Sequence, residues 1–134
     1  MRNGSRTCGT HILIWSLDSN SPLSKKHKEL LEDTGNRIFA SLVNLLELSI
    51  KKNLNKLPEF IPEIKEVAKQ CSEIGFELLS ISDEHIFAYQ YLPLFSEHKD
   101  PFDRLLIATA KEEGFAIMTT DDKFHLYESL ITLV

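Results

Sequence analysis

Cysteine is scarce: Cys8 and Cys71 are the only two, and they show no CxxC or Cys/His spacing. That excludes a disulfide framework and gives no zinc signature, so a reduced, cytoplasmic setting is expected. Long hydrophobic runs are missing as well. The stretch "ILIW" (residues 12–15) is too short for a membrane span, and too short for a signal-peptide core even though Arg2 and Arg6 precede it. Neither secretion nor membrane insertion is expected. Positive charge is in deficit, with 15 Lys and Arg against 20 Asp and Glu, a net charge of −5. This argues against a non-specific nucleic-acid coat, although the basic clusters "KKHK" (25–28) and "KKNLNK" (51–56) could still meet phosphates. Glycine and proline number only five each, with no linker rich in them and no internal repeat. One domain spanning residues 1–134 is the expectation.

What is present reads as short apolar runs alternating with helices. "THILIWSL" is a weak strand or a strand-to-helix transition, and "SPLSKKHKELLED" is an amphipathic helix capped by Ser24 and ending near Gly35. "RIFA" reads as a short buried strand. "SLVNLLELSIKKNL" opens on the capping residue Ser41, and "PEFIPEIKEVAKQCSEIG" makes another helix closed by Gly75. "FELLSI" and "FAIMTT" read as strands, "SDEHIFAYQYL" as a helix capped by Ser82 or Asp83, "PFDRLLIATAKEEG" as a helix closed by Gly114, and "LITLV" as a last strand. The alternation predicts an α/β fold whose parallel sheet is covered on both faces, with ligands at the carboxyl ends of the strands.

The acids of "HKDPFDRLLIATAKEEGFAIMTTDD" gather at the two ends of one helix and the strand after it. Asp100 before Pro101 is a strong helix start and reads as a cap. Asp103 suits the helix dipole, yet it shares a stripe with Leu106, Ile107 and Ala110 and so faces the core. A carboxylate directed inward must be paired, protonated or bound to a cation. Glu47 poses the same problem at the margin of the stripe Val43, Glu47, Ile50 and Leu54; a buried salt bridge to Arg104 or Lys51 is one answer, a site the other. Asp121 lies just past the strand "FAIM", where a ligand site belongs, though Asp121 or Asp122 could also cap the helix "DKFHLYES". Glu47, Asp103 and Asp121 converging from separate loops would repel one another, and a hard divalent cation such as Mg²⁺ or Mn²⁺ relieves that repulsion.

The segments "THILIW", "FASLVNLLELSIKKNLNKL", "HKDPFDRLLIATA" and "TTDDKF" together resemble the PIN-domain ribonucleases, specifically the VapC-like toxins of type II toxin–antitoxin pairs. The likeness runs from Thr10 through nearly the whole chain. It implies a three-layer α/β/α sandwich with a central, mostly parallel sheet of four to five strands. It also implies a Mg²⁺- or Mn²⁺-dependent ribonuclease that cuts RNA, forms homodimers and is blocked by a cognate antitoxin. Carried over, the catalytic and metal-binding acids are Glu47, Asp103 and Asp121, with Thr119 a hydroxyl residue beside the last. The metal would lower the pKa of a water and stabilise charge on the leaving oxygen. Arg104 has two readings, a phosphate contact or a helix-surface salt bridge. His11 is expected to pack or hydrogen-bond near the site, and His98 and His125 fit no ligand spacing.

One position departs from that pattern. Where the family reads D-T-H, this chain reads "CGTH", with Gly9 in place of the first metal-binding aspartate. The segment "MRNGSRTC" before it also lacks the apolar strand expected there, so residues 1–9 are atypical. An artificial or altered start, a mutation selected because an active toxin harms its host, and natural loss all account for this. Two functions are therefore carried forward: a ribonuclease toxin weakened at Gly9, and a silent PIN fold that binds antitoxin or RNA without cutting. A phosphoacceptor receiver domain, also α/β, is set aside because "RTCGTH" lacks the acid pair it needs near strand one.

Overall fold

The computed structural model describes residues 4–18 and 21–134, and the first three positions of the atypical start lie outside the described residues. Four strands, β1 (Ser5–Cys8), β2 (Arg37–Ser41), β3 (Glu77–Leu79) and β4 (Ala116–Met118), form one parallel sheet in the order β3-β2-β1-β4. The helices are α1 (Thr10–Ser16), α2 (Lys25–Glu32), α3 (Leu42–Asn53), α4 (Ile64–Glu73), α5 (Asp83–Tyr89) and α6 (Pro101–Glu113), with a 3₁₀ helix over Asp122–Tyr127. Side chains alternate across the strands, which splits the core in two. Ile38, Ala40, Cys8 and Met118 join Leu13, Leu48 and Val67 on one face, while Phe39 and Ile117 join Leu106, Ile107 and Tyr127 on the other. The expected α/β architecture, with helices on both faces, is what forms.

Residues 5–8 correct the reading of the amino-terminal segment. "SRTC" is a central strand, paired with β2 on one side and β4 on the other. Two of its polar side chains are met by residues distant in sequence: Thr7 Oγ1 donates to the Phe39 carbonyl at 3.4 Å, and Arg6 Nη1 to Asn36 Oδ1 at 2.8 Å. "THILIWSL" is helix, with Gly9 at its N-cap. The helix expected from Pro58 begins only at Ile64, and "LITLV" reaches β4 through a single parallel bridge, Ile117 to Leu133, instead of a strand.

Most helix boundaries follow the expected capping chemistry. The hydroxyls of Ser24, Ser41 and Ser82 accept from backbone N–H groups in the first turns of α2, α3 and α5. Gly114 closes α6 in the left-handed conformation, φ 73°. The order of the strands then locates the site. From β1 the chain steps one way to β2 and β3, then returns to the other side of β1 for β4, so the carboxyl ends of β1 and β4 flank a topological switch point.

Candidate active site

At that switch point, the Gly9 N–H, just past β1, donates to the Met118 carbonyl at the end of β4 at 2.8 Å. The pocket above it has a volume of about 140 Å³ and is lined by Gly9, Thr10, Glu47, Lys51, Asp100, Asp103, Thr119 and Asp121, among others. Drug-sized ligands occupy pockets of roughly 300–1,000 Å³, so this one suits a hydrated ion or a single phosphate better. The four acids arrive from three parts of the fold. Glu47 stands on α3, Asp100 and Asp103 at the start of α6, and Asp121 past the end of β4.

Glu47 is only 6% exposed, deeper than the helix margin expected for it. Of the two partners foreseen, Lys51 is the one that forms: its Nζ lies 2.7 Å from Oε2. The other oxygen accepts from Thr10 Oγ1 at 2.7 Å, and Thr10 in turn accepts from Asn44 Nδ2 at 3.1 Å. Both oxygens of a buried acid are thus satisfied, and the sequence signal for the first partner is its i+4 spacing.

Asp100 caps α6 through one oxygen, Oδ1, which accepts from the N–H groups of Phe102 and Asp103. Asp103 is half-buried above the apolar stripe of Leu106, Ile107 and Ala110. Its Oδ2 meets His98 Nε2 at 3.0 Å. Burial pushes the Asp103 carboxyl above the usual range, the His98 hydrogen bond opposes that, and the carboxylates of Asp100 and Glu47 add to the rise. Asp121 is exposed and caps the 3₁₀ helix, accepting from the Lys123 N–H at 3.0 Å, while its own N–H donates to Thr119 Oγ1 at 3.0 Å. The cap and the pocket position are thus both realised for Asp121.

Arg104 corrects both readings made of it. It is buried, 5% exposed, and does not line the pocket. Its Nη1 donates to the Pro93 carbonyl at 2.8 Å and to the Tyr127 hydroxyl at 2.9 Å, and its guanidinium lies 5.3 Å from the Tyr89 ring centre. His11 packs at the pocket rim, 5.6 Å from the Trp15 ring. His98, passed over on spacing, is buried against Asp103 and Tyr127. No local pattern reveals it, because Tyr127 lies 29 residues away.

The donors suit a hard cation in kind: carboxylates close enough to raise the pKa of Asp103 and no soft ligand among them. Among the described residues no three His, Cys, Asp or Glu side chains stand close enough together to hold an ion as they are placed. As placed, Glu47 is turned to Lys51 and Thr10, and Asp103 to His98.

A parallel sheet with an acidic pocket at its β1/β4 switch point defines an α/β protein whose candidate site lies where such sheets bind their ligands. The PIN-domain model matches residues 9–129, and the chain belongs to that family. No curated protein matches it significantly. Among solved structures, a chain of VapBC2 from Rickettsia felis, bound to a DNA fragment from its promoter, superposes with a TM-score of 0.68 at 21% identity, covering 97% of each chain. A chain of VapBC-5 from Mycobacterium tuberculosis, a member of the VapBC family of toxin–antitoxin systems, gives 0.56 at 17% identity over 98% of this chain and 96% of that one. These likenesses establish the shared fold.

Proposed function

We propose that this chain is a divalent-metal-dependent endoribonuclease, the toxin of a toxin–antitoxin pair, weakened by Gly9. The observation that carries the reading is the convergence of Glu47, Asp103 and Asp121, with Asp100, on one small pocket at the switch point of a PIN fold. A bound Mg²⁺ or Mn²⁺ would supply an activated water and stabilise charge on the phosphate and leaving oxygen. Asp103 and Asp121 would hold it, with Glu47 reaching it directly or through water once Lys51 gives way. Lys51 then stands free to meet a phosphate oxygen, and Thr119 holds the Asp121 backbone at the pocket floor.

Gly9 is not required by the backbone. Its φ of −65° is open to any residue, and a Cβ there would meet the Met118 carbonyl at 3.2 Å and Thr119 Oγ1 at 3.4 Å, which asks for a shift of a few tenths of an ångström. An aspartate there would stand at the N-cap of α1 beside the other acids, tight against the β4 carbonyl that must yield to it. Homodimerisation and capture of an antitoxin are supported by exposed apolar residues, Leu42, Leu46 and Ile50 on α3 with Leu54 at its C-cap, and Phe87, Tyr91 and Leu94 around α5. The sequenced neighbourhood of the gene tests that part, since a short adjacent frame for a DNA-binding protein is expected.

The silent-fold reading is favoured by Gly9 together with Lys51, whose ammonium already neutralises Glu47. Cleavage of structured RNA with and without Mn²⁺ by this chain, by Gly9→Asp and by Gly9→Asp carrying Asp103→Asn separates the two. The nuclease reading expects Mn²⁺-dependent cutting that rises with Gly9→Asp and disappears with Asp103→Asn. No cutting by any of the three establishes the silent fold.

A further inference from the structure

Behind the pocket, four side chains are joined in sequence. Arg104 Nη1 lies 2.9 Å from the Tyr127 hydroxyl, that hydroxyl 2.9 Å from His98 Nδ1, and His98 Nε2 3.0 Å from Asp103 Oδ2. Arg104, Tyr127 and His98 are all buried. The direction of each hydrogen bond follows from what each group can do. A guanidinium only donates, so Tyr127 Oη accepts from Arg104. The single hydroxyl proton of Tyr127 is then free to point at His98, whose Nδ1 accepts it. That leaves the ring proton on Nε2, directed at Asp103.

We infer that Arg104, Tyr127 and His98 form a one-way hydrogen-bond relay that positions the Asp103 carboxylate, fixing Oδ2 from behind and leaving Oδ1 to the pocket. The relay is braced at every member. Arg104 is tied to the Pro93 carbonyl and stacked near Tyr89, Tyr127 meets Phe95 edge-on at 5.0 Å, and the His98 ring lies between those of Tyr127 and Phe124 at 5.4 and 5.8 Å. Phe124 itself lines the pocket, so the packing that holds the imidazole also closes the wall beside the acids. His98 and Tyr127 are thus positioning residues, acting through Asp103. Their service to a metal rests on the function proposed above; their arrangement does not.

Two measurements on the full chain separate those parts. Nitrogen-15 NMR of the histidine rings without metal should show His98 as the Nε2–H tautomer with a slowly exchanging proton, and Tyr127→Phe should shift the His98 Nδ1 resonance. A ring protonated on Nδ1 alone, or on both nitrogens, overturns the relay whatever the protein does. Binding of Mn²⁺, read as loss of the free-ion EPR signal, is then compared in the Gly9→Asp background. By analogy with hydrogen-bonded metal ligands elsewhere, His98→Ala and Tyr127→Phe should weaken binding about tenfold or more, and His98→Gln, whose amide can donate in place of Nε2–H, should recover most of it. Unchanged affinity in all three variants overturns the positioning role. Absence of Mn²⁺ binding in the parent overturns the metal reading instead, and the NMR result still decides the relay.

Discussion

Asp103 and Asp121 line the same pocket, yet they are held in opposite ways. Asp103 is half-buried, gripped by a buried histidine and pressed by two neighbouring carboxylates. Asp121 is exposed and completes the first turn of a 3₁₀ helix. An acid used only to finish a helix can sit in water, where its charge is cheap; an acid kept half out of water and fixed by partners that do nothing for helix ends is harder to explain as architecture. In the proposed site, the difference predicts the firmer place for Asp103 and the adaptable one for Asp121.

The largest expected effect tests that ranking directly. In the Gly9→Asp background, Asp103→Asn should lower Mn²⁺-dependent RNA cleavage about a thousandfold, the several kcal/mol that a bound cation contributes to charge stabilisation. Asp121→Asn, which removes a water-screened contact of about 1.4 kcal/mol, should cost about tenfold. Equal losses in a cleavage time course would break the comparison and make the exposed acid an equal ligand.

A second contrast concerns the basic neighbour of each acid. Arg104→Met leaves the Tyr127 hydroxyl and the Pro93 carbonyl without their buried donor, a cost of about 3 kcal/mol in urea unfolding. Lys123→Met, at an exposed side chain beside Asp121, should stay within about 0.5 kcal/mol. An Arg104 effect below 1 kcal/mol would remove the brace on which the relay depends.

The contrast also shows what the sequence could convey. Helix starts at Ser24, Ser41, Ser82 and Asp100 were legible because capping is local chemistry, complete within three or four residues. The convergence of Glu47, Asp103 and Asp121 was legible because each sits at the edge of a readable element. Strand β1 was not, since Ser5, Arg6 and Thr7 carry no apolar signal, and the side chains of Arg6 and Thr7 find their partners, Asn36 and Phe39, 30 and 32 positions away. The burial of Arg104 and His98 was illegible for the same reason. Their burial depends on Tyr127 and Pro93 arriving from elsewhere in the chain, and nothing in "HKDPFDR" announces that.

Capping gives a smaller and more even comparison. Asp100→Ala and Asp121→Ala should each cost about 1 kcal/mol, the former more because Asp100 serves two N–H groups and Asp121 one. Thermal unfolding of the two variants measures it, and a larger loss at Asp121 would mean that its carboxylate supports more than the 3₁₀ turn.

The smallest effect is the pH dependence that Asp103 alone should impose. Its carboxyl is raised in the folded chain, first by burial and then by Asp100 and Glu47, against the opposing His98 bond. The folded protein therefore holds this proton more tightly than the unfolded chain, whose aspartate titrates at about 3.9. Between that value and the raised one, the folded state binds the extra proton, so this contribution makes stability fall as pH climbs through the window and stay lowered above it. Asp103→Asn should accordingly raise Tm at neutral pH relative to the parent and flatten the parent's decline across the window, while the amide oxygen still accepts from His98. Asp100→Asn, which keeps the cap but removes one of the two neighbouring charges, should flatten it only in part, because burial is the leading cause. A Tm that rises through the same window in the parent, and is unchanged by Asp103→Asn, would mean that the relay and not the desolvation governs this carboxylate.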